Sequence, residues 1–228
     1  VEKGAVQKTE RPGDVSIPAG ASTLVEALLC HAQSHPDRVH ILLDGYREDP
    51  ERITYGELLA EARQLATGLQ QVGIETGNTV AIILPTGREY FVSFLGVLLA
   101  GGVPVPLYPP VRPTQIEEHL RRHRGILQNA QVKVLLTVPE VKPVARLLKL
   151  QVESLATIAT VAEMADASQP FIPVPVQAGD IGFLQYTSGS TGDPKGVVLT
   201  HANLLANIRA MGRVTGVTFR DFFVSWLP

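Results

Sequence analysis

Apolar residues recur along this chain at two alternating periods. Leu58, Leu59, Ala62, Leu65, Ala66 and Leu69 repeat every three to four residues, the signature of a helix with one buried stripe. Thr54-Tyr-Gly-Glu57 ahead of that run has capping-box spacing, and Gly73 behind it is a natural C-terminal cap. Thr79 to Leu84 is then a short, almost wholly apolar run, which suits a strand covered on both faces. Arg88 to Ala100 reads as a second apolar helix, closed by Gly101 and Gly102, and Val103 to Leu107 as the next strand.

The alternation continues. Thr114-Gln-Ile-Glu117 opens a helix predicted to reach about Asn129, Val132 to Thr137 is a buried-type strand, and Val141 to Leu150 a further helix. Upstream, Thr23-Leu-Val-Glu26 predicts a helix over Leu24 to Ser34, ending before Pro36; Val39 to Asp44 follows as a strand and Tyr46 to Arg52 as a turn. Downstream, Ala165 to Gly179 carries three prolines and reads as a connecting loop. Ile181 to Tyr186 and Val197 to Leu199 are strands on either side of a Gly/Ser/Thr loop. A helix from His201 to about Met211 and a strand over Phe222 to Trp226 complete the pattern. Strand and helix in alternation predict an α/β fold, with a largely parallel sheet flanked by helices on both faces.

Composition narrows the class. The 228 residues are 45% apolar and 18% charged, with a net charge of −2. That balance gives no long-range attraction to nucleic acid or to an anionic membrane. Residues 1–20 are polar and rich in Gly and Pro, which predicts a flexible leader before a folded part over 21–228. Val1 to Glu10 lacks the apolar core of a signal peptide. The longest apolar stretch, Tyr90 to Ala100, is too short for a membrane span of ~20 residues. Cys30 stands alone, so no internal disulfide can form; this fits a reducing cytosol, and the residue reads as a small apolar member of its helix.

The chemistry concentrates in Tyr186-Thr-Ser-Gly-Ser-Thr-Gly-Asp-Pro-Lys-Gly196. Three glycines (Gly189, Gly192, Gly196) allow positive φ and close approach to a ligand. Successive backbone N–H groups in such a loop can form an anion-binding nest. Thr187, Ser188, Ser190 and Thr191 add hydroxyls, and Lys195 adds a cation. Together they suit polyphosphate oxygens. The pattern is neither a Walker A loop, since no hydroxyl residue follows Lys195, nor the G-x-G-x-x-G of dinucleotide folds.

This stretch resembles the phosphate-binding signature of the acyl-adenylate-forming superfamily, which includes acyl-CoA synthetases, fatty acyl-AMP ligases and peptide-synthetase adenylation domains. Ile53-Thr-Tyr-Gly-Glu-Leu58 is similar to the family's "TYxEL" element, and Leu98-Leu-Ala-Gly-Gly-Val-Pro-Val-Pro-Leu107 to its "LxAGGxxVPL" element. Val105-Pro-Leu-Tyr-Pro-Pro110 and Ser225-Trp-Leu-Pro228 resemble the fatty acyl-AMP ligase branch in particular. The resemblance runs from about Ser22 to the last residue and identifies the chain as the N-terminal part of an adenylation domain. It implies ATP and Mg²⁺ as cofactors, with Thr187, Ser188, Gly189, Ser190, Thr191, Gly192 and Lys195 on the ATP phosphates. It implies a fatty acid substrate and a carrier-protein phosphopantetheine as acceptor. The catalytic residues, the acid-side histidine motif among them, are expected beyond Pro228, so this stretch alone is expected to be inactive. A fatty acyl-CoA ligase and a non-catalytic domain of the same fold are the alternatives.

Other candidates read as structure. Thr54, Tyr55, Glu57 and Leu58 are explained by a cap and an apolar face. Gly101, Gly102 and Pro104 end a helix and turn the chain. His119 and His123 have the i, i+4 spacing of a metal pair. Arg121, Arg122 and Arg124 surround them, which predicts a solvated basic helix face and no metal site. His201 reads as part of a helix start, and Trp226 as a core residue.

Overall fold

The computed structural model of the protein describes residues 18, 20–44, 49–108, 116–166, 168–187, 194–218 and 220–225, without the side chains of 116–121. In chain order the elements are α1 (Leu24–Ser34), β1 (Val39–Leu43), β2 (Glu51–Thr54), α2 (Tyr55–Gln71), β3 (Thr79–Ile83), α3 (Arg88–Leu99), β4 (Val103–Pro106) and α4 (Ile116–Asn129). β5 (Val134–Thr137), α5 (Lys142–Lys149), β6 (Thr157–Ala159), α6 (Val161–Ala165), β7 (Ile181–Thr187), β8 (Lys195–Thr200) and α7 (His201–Thr215) follow.

Four strands make one wholly parallel sheet in the order β4-β3-β5-β6. β3 leads through α3 to β4 on one side. The chain then returns through α4 to β5 on the other side and continues through α5 to β6. With right-handed crossovers, that reversal puts α3 on one face and α4 and α5 on the other. The strand side chains divide accordingly. Val80, Ile82, Val134 and Leu136 pack with Leu58, Leu65, Leu69 and Val97 of α2 and α3. Ala81, Ile83 and Leu135 point the other way, onto Ile126, Leu127, Ala145 and Leu148 of α4 and α5.

Local signals set the helix limits. Thr54 Oγ1 accepts from the Glu57 N–H at 3.2 Å while Glu57 accepts from the Thr54 N–H at 3.0 Å, a complete capping box. At Thr23 the box is half made. Its hydroxyl oxygen accepts from the Glu26 N–H, but the Glu26 carboxylate turns to the N–H and hydroxyl of Ser22. Thr114 lies outside the described residues. α2, α3 and α4 all stop in the same way. Gly73, Gly101 and Gln131 adopt positive φ (85°, 77° and 53°), and the next residue donates back to Leu69, Val97 and Leu127 respectively. This is the Schellman arrangement, which satisfies carbonyls that a helix end would otherwise leave bare.

Two helix crossings are close enough to require glycine. A Cβ on Gly68 of α2 would lie 1.8 Å from the Met164 carbonyl oxygen of α6. A Cβ on Gly96 of α3 would lie 2.8 Å from Leu65 and 3.0 Å from the Ala62 carbonyl oxygen of α2. At the start of α3, Arg88 binds Glu51, Glu57 and Glu61 at 3.2, 3.4 and 2.8 Å, joining β2, α2 and α3. Among the described residues no helix is long and apolar enough to cross a membrane.

Several expectations need correction. The turn foreseen over Tyr46 to Arg52 includes the first two residues of β2, which pairs antiparallel with β1. β6 and α6 were not foreseen. Phe222 to Val224 form no strand: no neighbouring strand pairs with them among the described residues, and Phe222 and Phe223 are each 90% exposed. His123 is buried at 4% exposure, so the helix face around it is not uniformly solvated, although Arg122 and Arg124 beside it are exposed. The side chain of His119 lies outside the described residues. Cys30 is half-buried in α1.

Candidate functional site

The segment singled out for its chemistry belongs to the hairpin of β7 and β8. A parallel return would need a crossover of a dozen or more residues. Residues 188–194 are too few for that, so β8 pairs antiparallel. β7 in turn runs beside β4 of the parallel sheet. Leu184 and Tyr186 pack onto the core between that sheet and α4, while Phe183 meets Phe94 of α3 edge-on, with ring centroids 5.7 Å apart.

Register decides which residues meet at the loop end of the hairpin. Thr187 stands opposite Lys195, and Tyr186 opposite Gly196. Thr187 and Lys195 are both exposed. Among the described residues the Thr187 hydroxyl makes one long contact, donating to the Lys195 carbonyl oxygen at 3.5 Å, beyond the usual range for a strong hydrogen bond. Among the described residues no carboxylate pairs with Lys195. The two flanking members of the sequence-predicted site therefore lie side by side at the hairpin's end. Ser188, Gly189, Ser190, Thr191 and Gly192 lie outside the described residues.

Gly196 requires a correction. It does not adopt positive φ; it is extended strand. Glycine is needed because the Tyr186 ring covers the position: a Cβ there would come within 2.9 Å of the ring. The Tyr186 hydroxyl donates to Asn129 Oδ1 at the end of α4, at 2.5 Å. Burial raises the Tyr186 hydroxyl above the usual tyrosine pKa, so it remains protonated and a donor. Asn129 was missed by the sequence reading. It is 57 positions from Tyr186 and sits among ordinary helix residues, so no local pattern marks it.

His201 lies at the opposite end of the hairpin, where Thr200 pairs with Ile181. Seven residues of β7 separate the two ends, roughly 20 Å of extended chain. The His201 ring is buried and its Nδ1 accepts from the Leu24 N–H at 3.2 Å, tying α7 to the start of α1. Burial lowers its pKa, against a smaller opposing pull from Asp180 and Glu26. A cavity of about 230 Å³ lies beside it, lined by Thr76, Gly101, Gly102, Val103 and Asp180. Among the described residues no three His, Cys, Asp or Glu side chains come together as a metal-binding set.

The sequence pattern of the family described as AMP-binding enzyme matches residues 30–228, nearly the whole chain. The chain belongs to that family. Among similar members, the long-chain-fatty-acid–AMP ligase FadD32 of Mycolicibacterium smegmatis is 33% identical over 226 residues, covering 96% of this chain and 35% of that protein. The medium-chain-fatty-acid–[acyl-carrier-protein] ligase JamA of Moorena producens is 30% identical over 213 residues, 91% of this chain and 36% of that protein. A solved fatty acyl-adenylate ligase of L. pneumophila, in complex with acyl adenylate and pyrophosphate, superposes with a TM-score of 0.79 at 29% identity, covering 91% of this chain and 35% of that one. The chain thus spans about a third of the length of these relatives. Within this family member, Ile53 to Leu58 spans the end of β2 and the capped first turn of α2, and Leu98 to Leu107 is the Schellman stop of α3 leading into β4.

Proposed function

We propose that the protein containing this chain is an ATP-dependent fatty acyl-AMP ligase, and that the hairpin end holds the phosphates of ATP. The observation that carries this reading is the register that sets Lys195 directly opposite Thr187, both of them exposed. A cation and hydroxyls on a short strand pair suit the β- and γ-phosphates, with Ser188, Gly189, Ser190, Thr191 and Gly192 completing the set. In the reaction a fatty acid carboxylate oxygen attacks the α-phosphorus, the bond to the bridging oxygen breaks, and pyrophosphate leaves. Lys195 steadies the charge that builds on that leaving group, a preorganised electrostatic contribution. Mg²⁺ supplies further positive charge on the phosphates. The acyl-AMP is then handed to the phosphopantetheine of a carrier protein. The names of FadD32 and JamA support the acid and the acceptor.

The test is Lys195→Ala in the intact enzyme, assayed by fatty-acid-dependent exchange of pyrophosphate into ATP. Exchange should fall on the order of 10²-fold, comparable to removing one preorganised donor to developing charge. An undiminished rate would overturn the phosphate reading. Mass spectrometry with fatty acid, ATP and either CoA or carrier protein tests the acceptor. Acyl-carrier product is expected, and efficient acyl-CoA formation would make the enzyme a CoA ligase.

A further inference from the structure

The geometry points to Tyr186 and Asn129 as a positioning pair that fixes Lys195 and Thr187 against the parallel sheet; this rests on the phosphate-binding reading of the hairpin. β7 and β8 lie at the margin of the fold, and β8 is exposed over Lys195 to Val198. A two-stranded ribbon of this kind is marginal by itself, so two exposed residues at its end need an external reference to stay in place.

Tyr186 supplies that reference in two directions. Its ring lies across the strand pair on Gly196, the residue directly after Lys195, and occupies the space a side chain would take. Its hydroxyl reaches off the hairpin to Asn129 Oδ1 at 2.5 Å. Asn129 is the last residue of α4, whose end is held by the Schellman bonds of Gln131 to Gln128 and Val132 to Leu127. Through those bonds α4 runs into β5, the interior of the sheet. The hydroxyl therefore ties the hairpin end to a rigid body. Tyr186 is also the residue immediately before Thr187, so fixing it constrains both members of the pair. The glycine after the lysine leaves the ring the room it occupies over the partner strand.

The test uses the intact enzyme, with KM for ATP and kcat from pyrophosphate exchange alongside the thermal midpoint. Tyr186→Phe keeps the ring and removes the hydroxyl; Asn129→Leu removes the acceptor. Each should raise KM for ATP about five-fold, the scale of one lost hydrogen bond, with the melting midpoint within a few degrees of wild type. The double variant should be no worse than either single one, because both break the same bond. Asn129→Asp retains an acceptor and should lie nearer wild type than Asn129→Leu. Gly196→Ala should reproduce the KM defect by pushing the ring aside.

An unchanged KM in Tyr186→Phe and Asn129→Leu would overturn the positioning role, as would additive losses in the double variant. Lys195→Ala in the same series separates the two levels. If it alone is impaired, the hairpin binds phosphate without the tyrosine's help; if it too is unaffected, both readings fall.

Discussion

Val80, Ala81, Ile82 and Ile83 of β3 are sealed on both faces of the sheet, whereas Val197 and Val198 of β8 are 43% and 56% exposed. The same contrast extends to the helices. α2 buries Leu58, Leu65 and Leu69 completely, while Ile208 and Met211 of α7 are each 54% exposed. Residues in the parallel sheet are chosen for the space they fill. The hairpin packs inward only through β7, by Leu184 and Tyr186, with further ties from Tyr186 to Asn129, Phe183 to Phe94 and His201 to α1, while β8 stays exposed over Lys195 to Val198. Side chains at the hairpin end are therefore free to meet a ligand, and their identity follows chemistry more than packing.

Truncations separate the two regions most strongly. Leu135→Ala at the centre of the sheet should cost about 4 kcal/mol, the scale of a large-to-small change in a core that cannot collapse. Val198→Ala should shift stability by about 0.5 kcal/mol or less. Chemical denaturation checks both, and equal costs would remove the distinction. One substitution should also change sign between the regions. Gly68→Ala forces a methyl into the α6 backbone and should destabilise by about 3 kcal/mol. Gly212→Ala in α7 has nothing within 4 Å to meet and should stabilise by about 0.5–1 kcal/mol through helix propensity.

A smaller effect concerns pH. His201 joins the two regions, and burial depresses its pKa below the ordinary imidazole value of about 6.5. The unfolded chain then takes up a proton before the folded one does. Stability should be complete above about pH 6.5 and fall as the pH drops through the lowered folded value. His201→Asn keeps an acceptor for the Leu24 N–H and cannot titrate, so its denaturation midpoint should change less between pH 7.5 and 5.5. An identical slope in both proteins would assign the pH dependence to other groups, with His31, also depressed by burial, the first to examine.

Periodicity and caps made the parallel sheet readable in advance. Thr79 to Leu84 and Val132 to Thr137 are apolar at nearly every position because both faces are covered. Gly73 and Gly101 marked two of the three helix stops; the third rests on Gln131, which no glycine signal announces. β2 escaped because Glu51 and Arg52 are poor strand formers, held there by pairing with β1. β6 and α6 escaped by being three and five residues long, although Thr160-Val-Ala-Glu163 has the capping-box spacing that α6 uses. The antiparallel sense of β7 and β8 was implicit in the short link between them. Thr187 and Lys195 were legible as chemistry. Their support was not, because Asn129 is distant in sequence and the part Gly196 plays depends on a ring across the strand pair.

The contact at Gly68 also bears on how the molecule opens. A helix of five residues such as α6 cannot hold its own hydrogen bonds in water. Its amides should therefore exchange with solvent only when α2 separates from it, and the slow-exchanging unit of this fold should extend through Gly68 to the far edge of the sheet.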